Sequence, residues 1–227
     1  RPPSKGELHA ALHFLKTQEV SAKKSPPPKV DKFPDENGLR PIAQAFGKVN
    51  GFGLGERALW LQPGSRFEQL QVEEPELDLD AFTIEVVASF DKLHPDASVN
   101  TLVSNWNGNQ QTPGWTFGVT SVKSAYEPRN FIVQLVGENV GGDVVYEVVA
   151  SNLRIPTGKP VYLAATVATN SKGEGKATFH FKDLSNPDAK LQTAEADHGI
   201  ARRIQTPDVR LLVGGRDQSG HLWDGQL

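Results

Sequence analysis

The feature that most narrows what this chain can fold into is an alternation of apolar and polar side chains with a period of two. Phe82, Ile84, Val86, Ala88 and Phe90 share one side of a run whose other side carries Thr83, Glu85, Val87 and Ser89. Successive side chains of an extended strand point to opposite faces, so this pattern is a strand with one buried face and not a helix. Trp115, Phe117 and Val119 repeat it, as do Phe131, Val133 and Leu135, and runs at 144–150, 161–167, 177–181 and 209–213 add further strands. Asn107-Gly108, Gly141-Gly142-Asp143, Pro156-Thr157-Gly158, Lys172-Gly173-Glu174-Gly175 and Gly214-Gly215 supply the turns between them. The 21 Gly and 16 Pro among 227 residues fit a chain of many turns. Strands at this spacing with no helix between them predict an antiparallel sandwich. No repeat of 20–50 residues recurs, which excludes a propeller or solenoid.

The first residues read differently. Ser4 and Glu7 fit a capping box, and Leu8, Ala11, Leu12 and Leu15 follow at helical spacing. A lone helix this short is marginal in water, so its apolar stripe needs a partner, and residues 1–19 are expected to be the remnant of a preceding domain. Residues 20–38 carry Lys23, Lys24, Pro26-Pro27-Pro28, Asp31, Lys32 and Pro34. Successive prolines favour an extended polyproline conformation, and this stretch is predicted to be a linker. The sandwich domain is assigned to residues 39–227. With no Met, even at position 1, the chain is expected to be part of a longer polypeptide.

Charge and composition remove several function classes. Lys plus Arg is 24 against 27 Asp plus Glu, a net charge of −3, and the basic residues form no stripe that could displace counterions from nucleic acid. No apolar run approaches the roughly 20 residues that span a bilayer. The absence of Cys removes disulfides, thiolate metal sites and cysteine nucleophiles.

The order of short motifs carries a resemblance. Ala58-Leu59-Trp60-Leu61 is followed by Phe82-Thr83-Ile84-Glu85-Val86, Thr101-Leu102-Val103-Ser104-Asn105-Trp106 and Gly114-Trp115-Thr116-Phe117-Gly118-Val119. Val161-Tyr162-Leu163-Ala164-Ala165, Leu212-Val213-Gly214-Gly215 and Trp223-Asp224-Gly225-Gln226-Leu227 complete the series. In that order they resemble the laminin-G-like, concanavalin A-like jelly roll. More narrowly, Leu12-His13-Phe14-Leu15, Thr112-Pro113-Gly114-Trp115 and Pro128-Arg129-Asn130 resemble the jelly-roll domain near the C-terminus of large planctomycete-type proteins with cytochrome-like domains upstream. The resemblance implies an all-β, two-sheet antiparallel jelly-roll sandwich in a periplasmic or cell-surface setting, with upstream domains of the same polypeptide as partners. It also implies that the last strand is truncated, because the sequence stops where the family's last strand begins.

Several residues stand in patterns that chemistry could use, and each also has a plain structural role. Glu76, Asp78 and Asp80 resemble the carboxylate strand of retaining glucanases on this fold, but Asp80 is one methylene shorter than the glutamate expected there. The carboxyl separation of roughly 5 Å that retention needs is then not reproduced, and an acidic approach loop is expected instead. His9 and His13 stand at zinc-ligand spacing without a neighbouring glutamate and are read as surface or interface residues. His94, His180, His198 and His221 form no triad pattern. The resemblance makes calcium the candidate ion, with Asn105, Asp143, Asp217 and Asp224 as oxygen ligands suited to a hard cation. Asn and Asp also populate turns for backbone reasons alone.

The strongest candidate is a binding site on rim loops. Trp106 leads into the amide-rich Asn107, Asn109 and Gln111, and Tyr126 stands near Arg129. The apolar face of a sugar ring stacks on an aromatic ring, and its hydroxyls pair with amides and guanidinium groups. Trp60, Trp115 and Trp223 are expected to fill the core. The chain is therefore expected to be a non-catalytic carbohydrate-binding module. A structural or protein-interaction domain is the alternative, and glycoside hydrolysis at Glu76 is a third.

Overall fold

The computed structural model describes residues 81–93, 97–206, 209, 211–216 and 221–225, and the backbone of residues 39–41, 57–61, 70–72 and 226. The expected helix and linker, the Glu76–Asp80 stretch, His9, His13, His94 and Asp217 lie outside the described residues. Of Trp60 only the backbone is described.

The described chain is all β, with two antiparallel sheets packed as a sandwich. In chain order the strands are β1 (Leu39–Pro41), β2 (Arg57–Leu61), β3 (Leu70–Val72), β4 (Ala81–Phe90), β5 (Val99–Asn105), β6 (Gly114–Thr120) and β7 (Asn130–Glu138). There follow β8 (Val144–Arg154), β9 (Val161–Ala168), β10 (Gly175–Asp183), β11 (Gln192–His198), β12 (Leu211–Val213) and β13 (Gly225–Gln226). One sheet has the order β1-β2-β13-β4-β9-β10-β11 and the other β3-β12-β5-β6-β7-β8. Among the described residues no helix is long and apolar enough to cross a membrane.

The period-two runs become strands because their odd or even positions all meet one core. Phe82, Trp115, Phe117, Phe131, Leu135, Phe179 and Trp223 pack together between the sheets. Phe131 of β7 meets Phe117 of β6 edge-on at 4.7 Å and Phe179 of β10, in the opposite sheet, at 5.2 Å. Phe82 of β4 lies 4.9 Å from Trp115 of β6, a second aromatic link between the layers. Each such side chain, fully buried, contributes roughly 1.5–3 kcal/mol from area alone. Trp115 and Trp223 thus fill the core as the sequence predicts.

The turn signals also fold as read. Asn139 Oδ1 accepts from Asp143 N–H (3.0 Å) in the β7–β8 hairpin, where Gly142 adopts φ 89°. Asn170 plays the same part between β9 and β10, its Oδ1 accepting from the N–H groups of Lys172 and Glu174. Two differences from the sequence reading have clear causes. β8 runs four residues past 150 because its register with β7 jumps between Asn130 and Ile132, and Asn130 Oδ1 accepts from Asn152 N–H (2.9 Å) in the gap. β11 has no apolar face to advertise it, since Ala194 and Ala196 are its inward residues and Thr193, Glu195 and Asp197 face out.

At one edge of the sandwich β8 and β11, from opposite sheets, lie against each other. After β11 the chain crosses back as a strap over residues 199–204, burying Ile200 and Ile204 and bonding Ala201 N–H to Glu138 C=O (2.7 Å). Arg202 and Arg203 reach Glu138 at 2.8 and 2.7 Å and hold its carboxyl below the usual carboxylate range.

Candidate functional site

The six-stranded sheet has a second face, turned away from the core. Register places Ser104, Thr116, Gln134 and Val148 in one row across β5, β6, β7 and β8, with Gly114, Val136 and Tyr146 in the next. Their neighbours Trp115, Phe117, Val133 and Leu135 point into the core, so these rows point out of it. Even so, Ser104, Thr116 and Gln134 are buried: Ser104 Oγ pairs with Thr116 Oγ1 and the Trp106 backbone, and Gln134 with Tyr146 and Arg216.

Residues 106–113 cover one end of this face. Trp106 lies over Gly114, where any Cβ would sit 2.9 Å from the Trp106 Cβ and 2.4 Å from the Asn105 carbonyl oxygen. Its ring stacks on Tyr146 (centroids 5.6 Å apart, planes 20° apart), and the Arg216 guanidinium lies 4.9 Å from the ring centre. The indole N–H donates to Asn109 C=O at 2.8 Å, and the residue is 3% exposed. Trp106 is therefore the packed floor of the loop and not the exposed stacking platform that the sequence reading implies.

The amides behind it are mostly used within the loop. Asn107 Oδ1 accepts from Asn109 N–H (2.9 Å), and Asn109 Oδ1 accepts from Gln111 N–H (2.9 Å). Asn107 Nδ2 reaches Thr112 Oγ1 at 3.4 Å. These successive Asx turns fix the loop, and Asn109, Gln110 and Gln111 remain exposed at its tip.

Residues 121–129 connect β6 to β7. Tyr126, 39% exposed, donates its hydroxyl to Val148 C=O at 3.3 Å and so lies beside the outward row of β8. Arg129 adopts φ 67°, and its backbone joins Thr120 C=O and Ile155 N–H, so it shapes the turn. The two loops singled out from sequence thus arise at opposite ends of β6 and reach β8 two residues apart, Trp106 at Tyr146 and Tyr126 at Val148.

Three residues of this face were missed by the sequence reading. Gln134 Nε2 donates to the Tyr146 oxygen at 2.5 Å, and Arg216 Nη1 donates to Gln134 Oε1 at 3.5 Å, which sets the orientation of the amide. The Tyr146 oxygen receives Gln134, so its own hydrogen is directed elsewhere. Burial pushes the Tyr146 phenol above its ordinary range and the site holds a neutral hydroxyl. Burial lowers Arg216 to about 10, which leaves it charged at neutral pH. One signal was legible: Gln134 is the single amide in the apolar run from Phe131 to Val136. Tyr146 was hidden because apolar residues flank it on both faces of β8, and Arg216 follows a strand too short to show periodicity.

The calcium set does not assemble among the described residues. Asn105 ends β5, and its Nδ2 donates to Val209 C=O at 2.7 Å. Asp143 closes the β7–β8 hairpin with Asn139. Asp224 is buried at the far end of the sandwich, 3.6 Å from Lys92, with its backbone bonded to Asp91. β8, spanning roughly 30 Å at a strand rise of about 3.3 Å per residue, separates the Asp143 end from the Asp224 end. No group of three His, Asp or Glu side chains able to hold a metal occurs among the described residues.

No family model matches the chain, and no curated protein matches it in sequence. Among solved structures it is similar to that of the marine PL-14 alginate lyase from Aplysia kurodai, with 10% identity and a TM-score of 0.40, covering 77% of this chain and 83% of that one. One expectation is corrected by this comparison. The chain was expected not to be an enzyme, yet a structure it matches belongs to one, so the non-catalytic assignment is withdrawn.

Proposed function

We propose that this sandwich recognises carbohydrate on the outward face of β6, β7 and β8, between the loop at 106–113 and the turn at 121–129. The observation that carries the reading is that Tyr126 reaches Val148, two residues along β8 from Tyr146, while Gln134, Arg216 and Trp106 are fixed around Tyr146. Tyr126, 39% exposed, and the partly exposed Tyr146 offer stacking area to the apolar face of a sugar, and the Tyr146 hydroxyl and the exposed loop amides offer directional hydrogen bonds. The seat differs from the one the sequence suggests: Tyr146 replaces Trp106 as the stacking surface, and Asn109, Gln110 and Gln111 form its rim. The laminin-G-like order of motifs supports the reading, and with it an extracytoplasmic setting.

The test is a thermal-shift and calorimetric screen of the 227-residue chain against neutral and acidic oligosaccharides, with turnover followed in the same samples. A ligand at a hundredfold its Kd stabilises by about 2.7 kcal/mol, a readable shift. Binding that falls at least tenfold in Tyr126→Ala and Tyr146→Phe, with the circular dichroism spectrum unchanged, is the expected result. Binding indifferent to both substitutions, or no binding across the panel, overturns it.

A further inference from the structure

We propose that His198 is a proton-operated latch on the strap that closes the open edge of the sandwich. His198 ends β11 with its side chain turned inward, 4% exposed, and neither ring nitrogen has a hydrogen-bond partner. The ring fills the place above Gly175, its cross-strand partner on β10, where a Cβ would come within 2.0 Å of His198 Cε1. A neutral imidazole is tolerated in such a slot, whereas an imidazolium adds a buried charge and a second N–H donor in need of an acceptor.

The next residue is where the strap is anchored. Gly199 N–H donates to both carboxylate oxygens of Glu147, at 3.0 and 3.1 Å, and Glu147 belongs to β8 of the opposite sheet. Position 199 must stay free of a side chain for this contact, because a Cβ there would stand 2.9 Å from Glu147 Oε1. This is a contact between the two sheets at their unpaired edge, and the strap beyond it carries Ile200 and Ile204 into the core.

The groups facing His198 decide what a proton does. From β8 comes the Glu147 carboxylate. β9 and β10 contribute the carbonyls of Ala168 and Lys176, near enough to favour a charged ring though not aligned as hydrogen bonds. The Lys176 ammonium is engaged with Glu195 at 3.0 Å, and Asp197 on β11 itself is exposed. Burial outweighs these attractions and holds the ring neutral below the ordinary imidazole range. When the proton does add, the imidazolium either draws the Glu147 carboxylate off Gly199 N–H or leaves its slot with the backbone at 198–199. Both routes free the Gly199 amide and unseat the strap, with one proton taken up per opening.

The experiment is residue-resolved amide exchange on the full chain between about pH 7.5 and pH 5.5, read as protection factors so that intrinsic exchange is removed. The expected result is a several-fold loss, up to about tenfold, in protection at Gly199 and Ala201, with Val133 and Phe179 in the core unchanged. His198→Phe keeps a ring over Gly175 without a titrating nitrogen and abolishes the loss; His198→Gln does the same if the phenylalanine variant misfolds. Glu147→Gln, which keeps an acceptor for Gly199 and removes the charge facing the ring, moves the midpoint to lower pH. The latch is refuted by constant protection at Gly199, by an equal loss in the histidine variants, by core and strap amides opening together, or by an unmoved midpoint in Glu147→Gln.

Discussion

Trp106 separates the structural account from the sequence reading, because the two predict opposite outcomes for one substitution. An exposed tryptophan on a loop can be truncated at little cost, typically within about 0.5 kcal/mol. Here the ring is 3% exposed, stacked on Tyr146, beside Arg216, and bonded to Asn109 C=O. Trp106→Ala leaves a cavity under the loop and is expected to cost about 3–5 kcal/mol. For a domain of this size each kcal/mol lowers the melting temperature by about 2–4 °C, which gives a drop of roughly 6–20 °C. Trp106→Phe keeps most of the stack and loses the indole N–H. Because Thr112 N–H still donates to Asn109 C=O (3.0 Å), that acceptor is not orphaned, and the lost bond costs only about 0.5–1.5 kcal/mol. Equilibrium urea unfolding, with the m-value checked for constancy, measures both. A Trp106→Ala protein that loses less than about 1 kcal/mol while losing carbohydrate binding would show an exposed platform, and the buried floor described above would be wrong.

Three further outcomes are expected. Gly175→Ala forces a Cβ into the His198 ring and costs about 1–3 kcal/mol, and in a double-mutant cycle with His198→Ala a coupling of at least about 0.5 kcal/mol relieves it; additive costs would mean the two do not touch. Because burial lowers the His198 pKa from 6.5, the unfolded chain takes up the proton first, so this residue's contribution is complete above about pH 6.5 and is lost as pH falls. Urea midpoints across that range should therefore fall more steeply toward acid in the native protein than in His198→Phe, and identical slopes would exclude the residue as a source. Millimolar calcium is expected to leave the melting temperature unchanged, since Asn105, Asp143 and Asp224 are held apart; a shift reversed by chelator would reveal a site these residues do not explain.

How far the site could be read from sequence varied residue by residue. Tyr126 and the loop after Trp106 were legible because aromatic residues among amides and turn formers stand out from any strand pattern. Their convergence on β8 was not, since it depends on which strands become neighbours. Gln134 shows in sequence as one polar residue in an apolar run, but its partners Tyr146 and Arg216 lie 12 and 82 positions away. His198 and Glu147 are likewise 51 positions apart and belong to different sheets, so no local spacing could join them.

What the sequence determined by itself was the local alternation: β4, β6, β7, β9 and β10 follow from side chains that can bury only every second position, and the hairpins follow from Gly, Asn and Pro. Tertiary structure alone decided what would lie against the second face of each strand, and therefore that Trp106 would be buried and Tyr146 left partly exposed. The reason is geometric. A period of two defines two faces but does not name the sheet, loop or strap that will lie against each, and that choice is made only when distant segments of chain close around a common core.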